Sequence, residues 1–290
     1  MRVHLLANLH RHDAIEAAQA AGQWLQSEGH IVAADEEAAA TLQFEEVPDA
    51  AFASCDLVIC FGGDGTVIRG AHLCSEPGTP ILGVYYGRFG FVTQASGDEV
   101  RICVQEFLAG HLALEERMMI QAELRRGQQT VAVVHALNET AVQRAAMMHM
   151  LTFDVHVDGR HLTSYPADGV MVCTSTGSTG YNLSAGGPIV DPIVDALILT
   201  AISPHTLSAR SLVLRPNALI EFRVTTRGEA VLNVDGQSRF HLLSEDHVCV
   251  TRSPRVTRLV TVDSQDFLIK LGDRLLWSRS THEDDEEDLV

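Results

Sequence analysis

Three segments of this chain carry residue types suited to phosphate and hydroxyl chemistry. The first is Phe61-Gly62-Gly63-Asp64-Gly65-Thr66. Three glycines in four positions let the backbone turn sharply and come close to a ligand. A helix starting just beyond would offer unpaired N–H groups and the positive end of its dipole, which suits phosphate. An aspartate repels phosphate. Its place in such a cradle points to a second task, receiving the proton of a hydroxyl that attacks phosphorus. The plainer reading is a glycine turn with Asp64 as helix N-cap. No G-x-G-x-x-G occurs here, so an ordinary dinucleotide fingerprint does not explain the glycines.

The second segment runs from Thr174 to Pro188 as Thr-Ser-Thr-Gly-Ser-Thr-Gly-Tyr-Asn-Leu-Ser-Ala-Gly-Gly-Pro. Hydroxyls and small residues crowd a strand-to-helix turn around one aromatic, Tyr181. Such a loop donates many hydrogen bonds while its backbone hugs a polar ligand, and the ring can stack on a base. The plainer reading is a Ser/Thr-rich surface loop. The third segment is Asn138-Glu139, a carboxamide beside a carboxylate at a strand end. The pair suits a ribose diol or an adenine edge, and a helix cap explains it equally well. Asp168, two residues beyond Pro166, reads as a turn residue unless it stands near the other segments.

Composition removes several classes of chemistry. The 290 residues include a single lysine, Lys270, so no P-loop Gly-Lys-Ser/Thr can be written. The six cysteines form no C-x-x-C pair and sit mostly in apolar stretches, which reads as buried reduced thiols. The fourteen histidines are scattered without H-E-x-x-H, which argues against a zinc site. A net charge of −17 argues against nucleic acid as a partner. No apolar run is long enough to span a bilayer, and the first residues turn polar too soon for a signal peptide. The expectation is a soluble cytoplasmic protein that binds neither membrane nor nucleic acid.

The elements that must position these residues fall into two patterns. Strands are expected at 3–8, 31–34, 57–61 and 80–84, alternating with helices at 13–28 and 67–73. The run at 57–61 is apolar throughout, as in a parallel strand buried on both faces. This predicts an α/β domain over roughly 1–110. Beyond it, strands are expected at 118–124, 130–136, 152–157, 169–174, 218–225, 230–234, 247–251 and 256–262. Asp158-Gly159 and Asp235-Gly236 supply tight-turn signals among them. This predicts an all-β, sandwich-like domain over 111–264. A closing helix at 265–276 would pack back onto the first domain. The acidic tail, 281–290, reads as disordered.

Taken together, these segments resemble the NAD kinases, over about residues 57–262. The resemblance rests on Gly62-Gly63-Asp64-Gly65-Thr66, Gly87-Arg-Phe-Gly-Phe91, Asn138-Glu139, Asp168-Gly169, Thr176-Gly-Ser-Thr-Gly-Tyr181, Ser184-Ala-Gly-Gly-Pro188, Ser203-Pro-His-Thr-Leu-Ser-Ala-Arg210 and Asp235-Gly236-Gln237. The first of these is shared with lipid (diacylglycerol) kinases and, loosely, phosphofructokinases. The hydroxyl loop is far more specific.

The resemblance implies a Rossmann-like N-terminal domain and phosphoryl transfer from ATP or polyphosphate to the 2′-hydroxyl of the adenosine ribose of NAD. It implies Asp64 as general base, with Gly62, Gly63, Gly65 and Thr66 along the phosphate path. Phe91 would lie near the adenine, and Asn138 and Glu139 would bind the dinucleotide. Asp168 would hold the nicotinamide side, and Thr179, Gly180, Tyr181, Asn182 and Ser184 would wrap the adenosine. His149 and Gln237 fall at further dinucleotide contacts, and Pro166 at a position that often faces the dinucleotide. Arg69 is the nearest cation to the loop in sequence, a candidate phosphate contact or an exposed helix arginine. Mg²⁺ would arrive with the phosphoryl donor. A homodimer or homotetramer is implied as well.

The chain departs from the family pattern in several places. Tyr85 stands where asparagine is usual, Ser175 where proline is usual, Gly180 where alanine is usual and Ser211 where proline is usual. A glycine common near Arg144-Ala145-Ala146 is missing. The alternatives are a lipid kinase built on the same cradle, and a catalytically silent dinucleotide-binding regulator.

Overall fold

The computed structural model describes residues 1–76, 78–86, 90–145, 151–225, 229–262 and 267–275. The chain enters through β1 (Arg2–Ala7), α1 (His12–Ser27) and β2 (Ile31–Asp35). A short helix, α2 (Ala39–Leu42), leads to β3 (Glu45–Val47). β4 (Leu57–Gly62), α3 (Asp64–Cys74), β5 (Ile81–Tyr85), β6 (Ala95–Ser96) and α4 (Val100–Leu108) complete the α/β part. Its strands pair only in parallel, in the order β3-β2-β1-β4-β5-β6. Every residue of β4 is buried, as a strand covered by helices on both faces requires. On α3 the buried side chains are Val67, Ile68, Ala71 and Cys74, one face at helical spacing. Gly70 lets this helix sit close to the sheet, since a Cβ there would come 2.9 Å from the Cys60 Sγ.

The second part is antiparallel. β7 (Ala113–Arg126) and β8 (Gln129–Ala136) form a hairpin, followed by β9 (Glu139–Arg144). β10 (Leu151–Val157) turns through Asp158-Gly159, both at positive φ, into the long β11 (Arg160–Thr174). After α5 (Tyr181–Ser184) come β12 (Leu197–Pro204), β13 (Leu212–Leu214), β14 (Ile220–Thr225) and β15 (Ala230–Val234). β16 (Ser238–Leu242), β17 (His247–Thr261) and α6 (Phe267–Leu275) close the chain. The first half of β11 pairs with β10; from Gly169 on it lies between β9 and β12. β17 pairs with β7 and β14 and also touches β5 in parallel at Leu259–Ile81, so it joins the two parts.

Two large apolar cores fill the two parts, and a third joins them: Val67, Ile68 and Ala71 of α3 pack with Met119, Leu137 and Leu259. Several expectations are corrected. The helix after the glycines begins at Asp64 rather than at 67, because low-propensity glycine hid its first turn. The strands expected at 247–251 and 256–262 are one strand, whose register shifts between Arg252 and Val256 around Pro254. β9, β12, β16 and α4 were not expected from the sequence. Asp168 lies within β11 rather than in a turn. In α6, the Lys270 Nζ is 3.3 Å from the Thr93 carbonyl and the Phe267 ring 6.2 Å from that of Phe91. The acidic tail lies outside the described residues.

Candidate active site

Asp64 is the first residue of α3, and Gly63 before it is extended and makes no side-chain cap. The N-cap reading of Asp64 therefore fails. Its carboxylate turns instead to a neighbouring loop: Oδ2 accepts the Phe91 N–H at 2.9 Å and Oδ1 accepts the Val92 N–H at 3.1 Å. Gly90 lies so close that a Cβ there would overlap the Asp64 carboxylate. Each carboxylate oxygen keeps a second lone pair, so the group is oriented without being saturated. Gly62 is held to glycine by Thr66, whose Oγ1 occupies the space of a Cβ. Phe91 packs near Phe267 and lies 6.0 Å from the Arg274 guanidinium.

Beside this loop lies an open cleft of about 740 Å³, lined by Asn8, His10, Glu37, Gly63, Gly65, Thr66, Arg69 and Gln237 among others. Gln237 thus brings the β-rich part to the glycine loop. Arg69 faces the cleft but is paired with the buried Asp35 and lies 3.3 Å from Glu37. Burial raises the Asp35 carboxyl above the ordinary range, against the opposing pull of Arg69.

Asn138 lies between β8 and β9, Glu139 is the first residue of β9, and the hydroxyl loop packs directly on them. The Thr174 N–H donates to the Asn138 carbonyl at 2.8 Å, and the Thr174 hydroxyl donates to the Leu137 carbonyl at 2.6 Å. A Cβ at Gly177 would come 2.6 Å from the Asn138 carbonyl carbon, so only glycine permits this approach. A Cβ at Gly180 would stand 3.7 Å from both the Asn138 Nδ2 and the Glu139 Oε2. The Asn138 Oδ1, Glu139 Oε2 and Asp168 Oδ1 are buried without a hydrogen-bond partner. Buried oxygens in this condition can exchange hydrogen bonds with a polar ligand. Burial, then the charge of Asp235, pushes Glu139 up to about 8. Burial, then Glu139 and Asp168, raises the Tyr181 phenol.

Thr179 and Gly180 are half-buried, and Tyr181 and Ser184 are exposed on the rim. Asn182 points the other way. It is fully buried; its Nδ2 donates to the Ser178 and Pro188 carbonyls at 3.1 and 2.9 Å, and its Oδ1 accepts the Thr200 hydroxyl at 2.7 Å. Its side chain braces the loop from within. Pro166 lines a different hollow of about 330 Å³ with Tyr165, Thr206 and Arg210, and no residue of the glycine loop is among its walls. His149 lies outside the described residues, as do Gly87, Arg88 and Phe89.

Sequence reasoning missed several residues. Arg144 holds the Asp168 Oδ2 at 2.9 Å, where the family's usual glycine is nearby and absent. His205 stands 3.9 Å from the Asp168 Oδ1. Arg117, buried in β7, reaches the Thr176 hydroxyl at 3.3 Å. Asp235 accepts the N–H groups of Leu137, Asn138 and Glu139. Asp235 carried a local signal, its turn with Gly236, but nothing in that dipeptide says where the carboxylate points. Among the described residues, no group of three or more His, Cys, Asp or Glu side chains is arranged to hold a metal ion.

Comparison with known proteins places the chain in a family. The model of the ATP-NAD kinase N-terminal domain matches residues 3–112, and that of the ATP-NAD kinase C-terminal domain matches residues 137–262. An NAD kinase from Citrifermentans bemidjiense is 35% identical over 95% of this chain and 98% of its own. One from Geotalea daltonii is 38% identical over 82% of each. The crystal structure of yeast NADH kinase complexed with NADH superposes with a TM-score of 0.90 at 25% identity, over 97% of this chain and 89% of that one. With both domain models matched in order, and relatives of this identity aligned almost end to end, the chain belongs to the ATP-NAD kinase family.

Proposed function

We propose that this protein is an NAD kinase that moves the terminal phosphoryl group of ATP to the 2′-hydroxyl of the adenosine ribose of NAD, giving NADP and ADP. The observation that carries the reading is the set of three buried polar oxygens without a hydrogen-bond partner, on Asn138, Glu139 and Asp168, close to the loop containing Tyr181. A dinucleotide brings hydroxyl and amide donors to such groups. A lipid acceptor would leave them unpaired, at a cost of about 1–3 kcal/mol each, so the lipid-kinase alternative is not favoured. The intact, oriented Asp64 speaks against a silent regulator.

In this reading the glycine loop and the start of α3 face the donor phosphates with backbone N–H groups. Glu139 and Asn138 fix the ribose and place its 2′-oxygen towards Asp64. As that oxygen bonds to phosphorus, its proton passes to the Asp64 carboxylate and the bond to the departing ADP oxygen breaks. Most of the acceleration comes from positioning, with Asp64 adding roughly 10²–10⁴-fold as base. A divalent ion would arrive with the substrate as Mg-ATP. Phe91, Thr179, Gly180, Tyr181, Ser184 and Gln237 complete the dinucleotide and phosphate contacts, and catalysis lies in the crevice between residues 1–110 and 111–264. The same family likeness is the basis for expecting a two-fold-symmetric homodimer or homotetramer in the cytoplasm.

The test is NADP formation from NAD and Mg-ATP, coupled to an NADP-specific dehydrogenase. Wild type is expected to turn over, and Asp64→Asn to be slower by roughly 10²–10⁴-fold. Binding of NAD with no NADP formed, from ATP or from polyphosphate, would overturn the kinase reading. Replacing NAD with NADH in the same assay determines the acceptor.

A further inference from the structure

One carboxylate ties together the two halves of the site. Asp235 is at φ +50, in a turn with Gly236 at φ +69, and its side chain is fully buried. Its Oδ1 accepts the N–H groups of Asn138 at 2.9 Å and Glu139 at 2.8 Å, and its Oδ2 accepts that of Leu137 at 2.7 Å. The Asp235 N–H donates in turn to the Glu139 carbonyl at 3.0 Å. The same Oδ2 lies 2.8 Å from the Nε2 of His72. His72 is on α3, the helix that begins with Asp64. Eight residues of helix separate the two, about 12 Å along the axis. That helix is rigidly seated, with Val67, Ile68, Ala71 and Cys74 all buried.

The geometry points to His72 as a positioning residue: through Asp235 it sets the distance and angle between the Asn138-Glu139 pair and Asp64. This rests on the reading of Asp64 as base and of Asn138-Glu139 as dinucleotide ligands. Asp235 and Thr174 hold the 137–139 backbone without help from His72, so NAD binding survives its loss. What is lost is the register of the bound ribose against the helix that carries the base. A sub-ångström slip between a hydroxyl and its base lowers the turnover rate while leaving affinity almost intact.

The experiment compares His72→Leu, which fills the space without an N–H, with His72→Gln, whose amide N–H falls near the place of Nε2. For His72→Leu, kcat is expected to fall about 10–100-fold, with KM for NAD within about threefold of wild type. His72→Gln is expected to recover to within about threefold of the wild-type kcat. Should His72→Leu not fold, His72→Asn, whose shorter amide does not reach, takes its place against His72→Gln. A folded His72→Leu with the wild-type kcat overturns the assignment. So does a His72→Gln that is as slow as His72→Leu, since the histidine would then serve packing alone. Asp64→Asn, run alongside, separates the two readings. If it keeps the wild-type kcat the base assignment fails, whereas a slow Asp64→Asn beside a fast His72→Leu overturns only the clamp.

Discussion

Glu139 combines burial, an unpartnered Oε2 and the nearby charge of Asp235, and all three favour its neutral form. At about 8, its carboxyl is protonated at neutral pH and carries both an O–H donor and a carbonyl acceptor. The stability consequence has a definite sign. The folded-state value lies above the ordinary 4.5, so native Glu139 keeps its proton while the unfolded chain releases one. Its contribution is therefore greatest below about pH 4.5, falls as pH rises from there to about 8, and levels off above. Glu139→Gln cannot ionise. Thermal melts of the two proteins across this range are expected to show the variant gaining on wild type as pH rises. A difference in Tm that does not change with pH would rule out the raised value. The same variant keeps one donor and one acceptor in its amide, so it is expected to bind NAD nearly as tightly as wild type.

At the scale of elements, the loop at 90–94 is gripped from two sides. Asp64 accepts two of its N–H groups, and Lys270 of α6 reaches the Thr93 carbonyl at 3.3 Å and the Gln94 Oε1 at 3.4 Å. The only lysine of the chain is thus almost wholly buried, with its charge placed against carbonyl dipoles. α6 returns from the end of the chain to steady the loop that orients the candidate base. Lys270→Met keeps the apolar stem and removes the charged hydrogen bonds. It is expected to lower Tm by about 3–8 °C, from roughly 1.5–3 kcal/mol of charged hydrogen bonding. Amide hydrogen exchange at Phe91 and Val92 is expected to speed up well beyond that of β4, which α6 does not hold. Unchanged protection at those two amides would show that Asp64 holds the loop unaided.

Across the whole molecule, the two parts share an apolar joint, and β17 runs through both. The six cysteines report on its integrity. All are free and buried, spread over α3, α4, β4, β11, β17 and the segment before β4. Burial raises every one of their thiols above the ordinary range, which suppresses the reactive thiolate. A small thiol reagent at pH 8 is therefore expected to leave the native protein almost unlabelled and to modify all six sites in denaturant. Rapid modification of one or two cysteines in the native state would mean that a part opens independently of the rest. Among the described residues no helix is long and apolar enough to cross a membrane.

The amino-acid sequence by itself determined the features whose cause is local. The glycine loop and the hydroxyl loop were legible because close backbone approach restricts residue type at the position itself, as at Gly62 and Gly177. The parallel half was legible because a strand buried on both faces must be apolar throughout, as β4 is. The tight turn at Asp158-Gly159 was legible because positive φ selects those residues. Only the tertiary structure decided where side chains point and what they meet. Asp64 reaches Phe91 and Val92, 27 and 28 residues away. Asn182, inside a recognisable motif, turns inward to Thr200. Asp235 looks like a hairpin turn in the sequence and proves to be the hub between α3 and Asn138-Glu139. β9 and β12 went unread because their pairing with β11 defines them more than their own composition does. Hydrogen bonds between groups distant along the chain leave no periodic trace in it, so the place of Asp235 between α3 and Asn138-Glu139 emerges only when both halves are folded together.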